Sequence, residues 1–200
     1  MIILGNLINE LIFYGILYCW FILEFINAYL IPFLRNRRRK IKNKEWKSFG
    51  IFLITMYFSF FISYFFAFFS FYTRIGELPL IVFYLGIVIM IFGIFFRYWA
   101  VYTLGKYFSP VVTIYSDHKI VKSGPYRFVR HPAYGGALIA ILGMGISLRS
   151  LLSVIIPFII MLVVVNYRAN LEERLLTAEI GNEYLEYKRT VKRKFIPFII

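Results

Sequence analysis

Two clusters in this chain have the residue types and spacing that chemistry needs. The first is SGPYRFVRHPAYGG at 123–136, preceded by HKIV at 118–121. The second is NYRANLEERLL at 166–176, where Arg168 and Glu172 stand four residues apart and share a helix face. Together they offer a histidine, tyrosines, arginines and a carboxylate beside glycine and proline turn signals. The chain around them is 60% hydrophobic and 21% aromatic, well above the roughly 45–50% apolar content of soluble domains. Apolar elements must therefore bring the polar clusters together.

Five apolar segments can be read: 7–34, 48–72, 80–104, 134–148 and 151–167. A bilayer core of about 30 Å needs about 20 helical residues. The first three segments meet that length, and the first is long enough to tilt. The last two are joined by the short turn LRS and are expected to form a close helical hairpin that barely spans. Open strands have no hydrogen-bond partners in lipid. The expected fold is an all-α integral membrane protein of about five transmembrane helices, forming one domain over 1–200. Within it, 1–104 supplies three spans with few motifs, and 105–200 carries nearly all the polar chemistry. The first run carries Glu10 and Glu24 and is too long for a signal-peptide core.

The formal net charge is +13, and its distribution sets the orientation. RNRRRKIKNKEWK at 35–47, the linker 105–133 and KRTVKRK at 188–194 are basic, whereas the loop after the second segment has Arg74 and the turn after the fourth has Arg149. Basic loops mark the cytoplasmic side. This puts the N-terminus outside and the C-terminus and both polar clusters on the cytoplasmic side. The 35–47 cluster reads as an orientation signal that also attracts anionic membrane lipid, and no nucleic-acid partner is expected.

Several chemistries are excluded. Cys19 is the one cysteine, so there is no intrachain disulfide and no cysteine-rich metal site. His118 and His131 are the two histidines, and neither has an acid or thiol at metal-ligand spacing, so no metal is expected. There is no dinucleotide fingerprint after a strand, no P-loop and no HExxH. Glu24 and Arg97 are charges at membrane depth, which have to pair or line a cavity. Glu24 reads as a bond to a neighbouring span or a mark on the lipid access path. Arg97 reads as snorkelling to the cytoplasmic interface or facing a pocket. The segment EIGNEYLEYKRTVKRKF breaks near Gly181 and restarts as an amphipathic helix, lying on the membrane surface or closing over a pocket with its tyrosines.

Arg168 follows the LRS turn by about 25 Å of helix, at the same depth as His131. A hairpin therefore brings RHPAY at one helix foot beside Arg168 and Glu172 at the other. Each residue has a plainer reading alone: a helix-surface ion pair, positive-inside arginines, interfacial tyrosines. At one depth and beside a Gly/Pro turn, they make a polar, aromatic pocket with a carboxylate and a fixed cation. Such a pocket suits a soluble cofactor meeting a lipid-borne anionic substrate.

SGPYRFVRHPAYGG, the Arg168–Glu172–Glu173 spacing and GNEYLEYKRTV followed by IPF resemble the isoprenylcysteine carboxyl methyltransferase family over about 105–198. Related phospholipid methyltransferases share the C-terminal half more loosely. The resemblance implies a membrane enzyme that uses S-adenosyl-L-methionine to methylate the terminal carboxylate of a prenylated cysteine. Carried over position by position, it assigns cofactor contacts to His118, Lys119, Ile120, Val121, Tyr126, His131, Pro132, Ala133, Tyr134 and Glu172. It makes Arg168 the residue that orients the substrate. Thr113 stands where the family often has glutamine, and the spacing to His118 is shorter. A carboxylate is ionised at pH 7 and needs no general base, so catalysis reduces to alignment, desolvation and placement of charge. Three other readings stay open: a phospholipid amine N-methyltransferase using His131 or Glu172 to remove a proton, an NADPH-dependent membrane reductase, and a non-catalytic scaffold.

Overall fold

The structure, a computed structural model, describes residues 4–30 and 41–195. Most of the basic cluster after the first apolar segment, and the IPF sequence at 196–198, lie outside the described residues. The helices are α1 (Leu7–Phe25, continued by a π turn over Ile26–Leu30), α2 (Lys47–Thr73), α3 (Ile81–Leu104), α4 (Pro132–Ser147), α5 (Leu151–Ile180) and α6 (Asn182–Thr190). Their starts follow local chemistry. The Asn6 side chain accepts from the Asn9 amide at 2.8 Å, and both Glu45 carboxylate oxygens accept from the first amides of α2. Pro132 opens α4, where its missing N–H costs nothing. Helices α1, α2, α3 and α5 are long and apolar enough to cross a bilayer, whereas α4 is shorter at 16 residues.

Glycine decides how that short helix is held. A Cβ on Gly86 or Gly93 of α3 would lie 2.2–2.3 Å from a backbone nitrogen of α4. One on Gly136 or Gly143 of α4 would lie 2.2–2.5 Å from a backbone nitrogen of α3. The two backbones touch, as small residues permit in lipid, where apolar burial does not drive helices together. The expected hairpin of α4 and α5 is present, with Arg149 at φ 58° in its turn. Yet α4 packs more extensively along α3 than along α5. The division at residue 104 read from composition is therefore crossed by the closest helix contact in the molecule. Helices α2 and α5 meet through a small-residue seam, in which Ser63 Oγ donates to the Ser153 carbonyl and the Ser70 and Ser150 hydroxyls bond at 2.7 Å.

One feature differs from the expectation. The fold is mainly helical, but β1 (Ile41–Glu45) pairs antiparallel with β2 (Val112–Tyr115). These strands belong to the polar segments between spans, where water can satisfy their outer edges, so the bar on strands in lipid does not apply. The sequence hid β1 because IKNKE is mostly polar and reads as a charged loop. The linker 105–133 is thus tethered as a short sheet, with 3₁₀ turns at Gly105–Tyr107 and Gly124–Arg127. The apolar segment 151–167 continues as helix to Ile180, so Arg168 and Glu172 share a helix as their spacing implies, and the break falls at Gly181.

Gly143→Ala should lower the thermal midpoint of the detergent-purified protein, because its Cβ meets the Met90 backbone at 2.2 Å and overpacking costs about 1–3 kcal/mol. Gly15→Ala, with nothing within 4 Å of the new atom, should leave the midpoint unchanged or raise it by restricting the unfolded chain. Size-exclusion chromatography after graded heating measures both.

Candidate active site

A cavity of about 160 Å³, open to the outside, lies at the feet of α4 and α5. One part of its wall comes from the linker and from α5 and α6: Tyr107, His118, Lys119, Ile120, Val121, Tyr126, His131, Leu176, Tyr184 and Tyr187. Another comes from α1 and α2: Phe25, Phe49, Phe52, Leu53, Met56 and Tyr57. Arg168 stands where the two meet. Its guanidinium carbon lies 5.3 Å from the Phe52 ring centre and 5.8 Å from those of Phe49 and Tyr134.

Arg168 is 3% exposed, so its donors need acceptors from the protein or from a ligand. Nε donates to the Tyr134 hydroxyl at 2.8 Å, and Nη2 donates to the Pro110 carbonyl. Nη1 is buried and has no hydrogen-bond partner among the described residues. The Tyr134 hydroxyl donates in turn to Glu172 Oε2 at 3.0 Å. His131 stacks on Tyr134, with ring centres 5.6 Å apart. Its Nδ1 lies 3.8 Å from Glu172. Burial raises the Tyr126 hydroxyl pKa well above its ordinary value, and the charge of Glu172 adds to the effect. Burial likewise raises Tyr184 and Tyr187. These phenols stay neutral donors across the physiological range.

A second network holds this arrangement from behind. Glu173 is 5% exposed and meets Arg130 Nε at 2.8 Å, His131 Nε2 at 3.2 Å and Lys188 Nζ at 2.6 Å. Arg130 also donates to the Val191 and Lys192 carbonyls. The Arg130 and His131 amides bond the Arg193 and Lys194 carbonyls at 3.0 and 2.8 Å. Residues 191–195 thus strap the start of α4. Lys194 Nζ donates to Asn166 and Asn170 of α5, each at 2.6 Å. Gly135 admits the strap, since a Cβ there would sit 2.0 Å from the Phe195 carbonyl oxygen.

His118, Lys119, Ile120, Val121, Tyr126, His131, Ala133, Tyr134, Arg168 and Glu172 all line the one cavity. Pro132 does not; it is buried as the first residue of α4. Thr113 lines the cavity, but its hydroxyl donates to the Val111 carbonyl within its own loop. The tyrosines of α6 face the cavity, in keeping with the lid alternative. Arg97 neither snorkels nor stands alone. It is 6% exposed, and its Nε and Nη2 both donate to Glu24, with Nη2 at 2.8 Å. Both members line the cavity. Each had been singled out as a charge at membrane depth, but 73 residues of separation concealed the pairing. The structural duty of Glu173 and Arg130 is also not legible in the sequence, because they pair across 43 residues and Arg130 bonds carbonyls 61 and 62 residues later.

Residues 85–178 match the family model described as the isoprenylcysteine carboxyl methyltransferase (ICMT) family. The resemblance read from the sequence therefore holds, and the match begins within α3, before the motifs that suggested it. A probable protein-S-isoprenylcysteine O-methyltransferase of Oryza sativa subsp. indica is 38% identical over 118 residues, covering 58% of this chain and 61% of that protein. The protein-S-isoprenylcysteine O-methyltransferase of Saccharomyces cerevisiae is 36% identical over 117 residues, covering 58% and 48%. The matched region thus spans between about half and three fifths of these curated relatives. The solved structure of a eukaryotic intramembrane Ras methyltransferase, ICMT, shares the fold with a TM-score of 0.68 at 23% identity, over 99% of this chain and 70% of that one. With four helices able to cross a bilayer, the chain is an integral, multi-pass membrane protein.

Arg130→Met should free the strap and strip Glu173 of one cation. Breaking a buried ion pair typically costs about 3–5 kcal/mol. The expected readout is a lowered thermal midpoint together with faster tryptic cleavage after Lys192. Unchanged cleavage would mean that the backbone bonds hold the strap without the guanidinium.

Proposed function

We propose that this chain is an S-adenosyl-L-methionine-dependent methyltransferase acting on the carboxylate of a lipid-embedded acceptor of the isoprenylcysteine type. One observation carries the reading. Arg168, a buried guanidinium with an unsatisfied donor, is among the residues lining a cavity whose walls are aromatic and carboxylate-bearing on one side and apolar on the other. A buried N–H lacking an acceptor costs about 1–3 kcal/mol. An anionic ligand removes that cost and gains a charge-assisted bond.

The lining fits the donor by chemistry. Glu172 offers a carboxylate to a cationic molecule, and Tyr126, His131, Tyr134, Tyr184 and Tyr187 offer aromatic and polar surface around it. Bound S-adenosylmethionine supplies a methyl group on a sulfonium, which is electrophilic without further activation. The residues then have three tasks. Arg168 orients the acceptor carboxylate, with its own angle fixed by Tyr134 and Pro110. Glu172, held by the Tyr134 hydroxyl, binds and orients the cationic donor. The phenylalanines of α2 exclude water and receive the apolar tail, so the carboxylate sheds solvent before it reacts. No proton has to move, because the acceptor arrives ionised. A lipid amine is the poorer acceptor here, since its cation would face the Arg168 charge.

The distribution of basic residues supports a cytoplasmic cavity and C-terminus with the N-terminus outside. Lys119, Lys122 and Arg127 belong to the cavity end of the molecule, and Arg74 and Arg149 to the opposite end.

Arg168→Lys should lower turnover on an S-prenyl cysteine acid by about a hundredfold or more, because an ammonium lacks the planar fork that bonds Tyr134 and Pro110 while a further nitrogen is held for the carboxylate. Binding of labelled S-adenosylmethionine, measured by equilibrium dialysis, should be unchanged. Glu172→Gln should instead weaken donor binding by about 10–100-fold, the worth of a hydrogen bond to a charged group. Phosphatidylethanolamine, offered in parallel, should remain unmethylated. Normal turnover of the Arg168→Lys protein would remove Arg168 from its role, and methylation of the amine would redirect the assignment.

A further inference from the structure

Among the described residues three guanidiniums line the cavity, those of Arg97, Arg130 and Arg168; Arg130 is answered by Glu173 at 2.8 Å, and the two carried by membrane-spanning helices differ in their surroundings. Arg168 is held by uncharged groups, the Tyr134 hydroxyl and the Pro110 carbonyl, and has a donor to spare. Arg97 is saturated. Nε and Nη2 reach Glu24 of α1, and Nη1 donates to the Ala133 carbonyl at 2.9 Å. Glu24 is fixed from its own helix by the Trp20 indole N–H at 3.1 Å. The side chains of Arg97 and Glu24 are 7% and 13% exposed, so the pair is desolvated although it borders the cavity.

We propose that Glu24 and Arg97 are a positioning pair: Glu24 cancels the Arg97 charge so that Arg168 is the single guanidinium that captures an anion in this cavity. The proposal rests on the reading of Arg168 as the carboxylate anchor. A weakly screened interior draws an anion to any uncompensated cation, and a transfer reaction tolerates one alignment of acceptor and donor. A carboxylate lodged on Arg97 would be bound but misplaced. Glu24 thus acts through the charge of Arg97, without touching the acceptor.

The test compares full-length wild type, Glu24→Gln and Glu24→Gln/Arg97→Met in detergent. A labelled S-prenyl N-acetylcysteine and its methyl ester serve as probes, and kcat and KM are measured for the acid. Glu24→Gln should bind the acid at a second site or at least about threefold more tightly, with ester binding unchanged. Its kcat should fall about tenfold or more without a rise in KM, the pattern of unproductive binding. The double variant, with both charges removed, should return stoichiometry and kcat to within about threefold of wild type, since a neutral pair can replace a buried ion pair. A merely structural pair would make the double variant at least as impaired as the single one, and that result overturns the proposal. So does acid binding unaltered by Glu24→Gln. Should Glu24→Gln not give monodisperse protein, the double variant decides alone: binding and turnover near wild type support charge balance, and loss of either refutes it. Acid binding that responds as expected in protein that transfers no methyl would sink the reaction assigned above and leave the charge-balance role standing.

Discussion

A charge taken out of water has to find its counterpart inside the protein or in a ligand, and most of this structure follows from that requirement. Three carboxylates and three arginines sit at or near the feet of the helices, largely removed from solvent. Glu24 answers Arg97, and Glu173 answers Arg130 together with His131 and Lys188. Arg168 and Glu172 are joined only through the Tyr134 hydroxyl. The first two pairs are closed and build the walls. The third is left open, with Arg168 Nη1 lacking an acceptor among the described residues.

Those charges can be placed so closely because the helices carrying them are locked by contacts that need no charge. Helix α4 is too short to define its own depth, but its glycines interlock with those of α3, and the serine seam sets α2 against α5. In lipid such close approach replaces the burial of apolar surface as the source of specificity. The polar strap at 191–195 then crosses the start of α4 and accepts from the amides of Arg130 and His131, the two residues that lead into the helix. Each layer depends on the one beneath it: backbone contact fixes depth, depth aligns the charges, and the charges shape the cavity.

The periodic, strongly apolar segments were readable because length and hydropathy are properties of single elements. So was the juxtaposition of His131 with Arg168 and Glu172, since a short turn leaves two helix feet little choice of neighbour. The strand β1 escaped notice because its composition matches that of a basic loop. Its strand character comes from pairing with β2, more than sixty residues later in the chain. Pro132 is grouped with its neighbours because motifs run continuously along a sequence, whereas a helix turns through 3.6 residues and faces only part of each turn toward the cavity.

By itself the sequence determined the helical membrane class, the segments that span, and the residues able to meet at one depth. These follow from local composition, from turn residues and from the fixed rise of a helix. Tertiary structure alone decided which charges cancel and which remain available. Whether a guanidinium is saturated depends on acceptors brought from helices and loops far apart in the chain. Arg97 and Arg168 look alike in the sequence, and only their packed surroundings give one an acceptor at every nitrogen and leave the other with a donor unmet among the described residues.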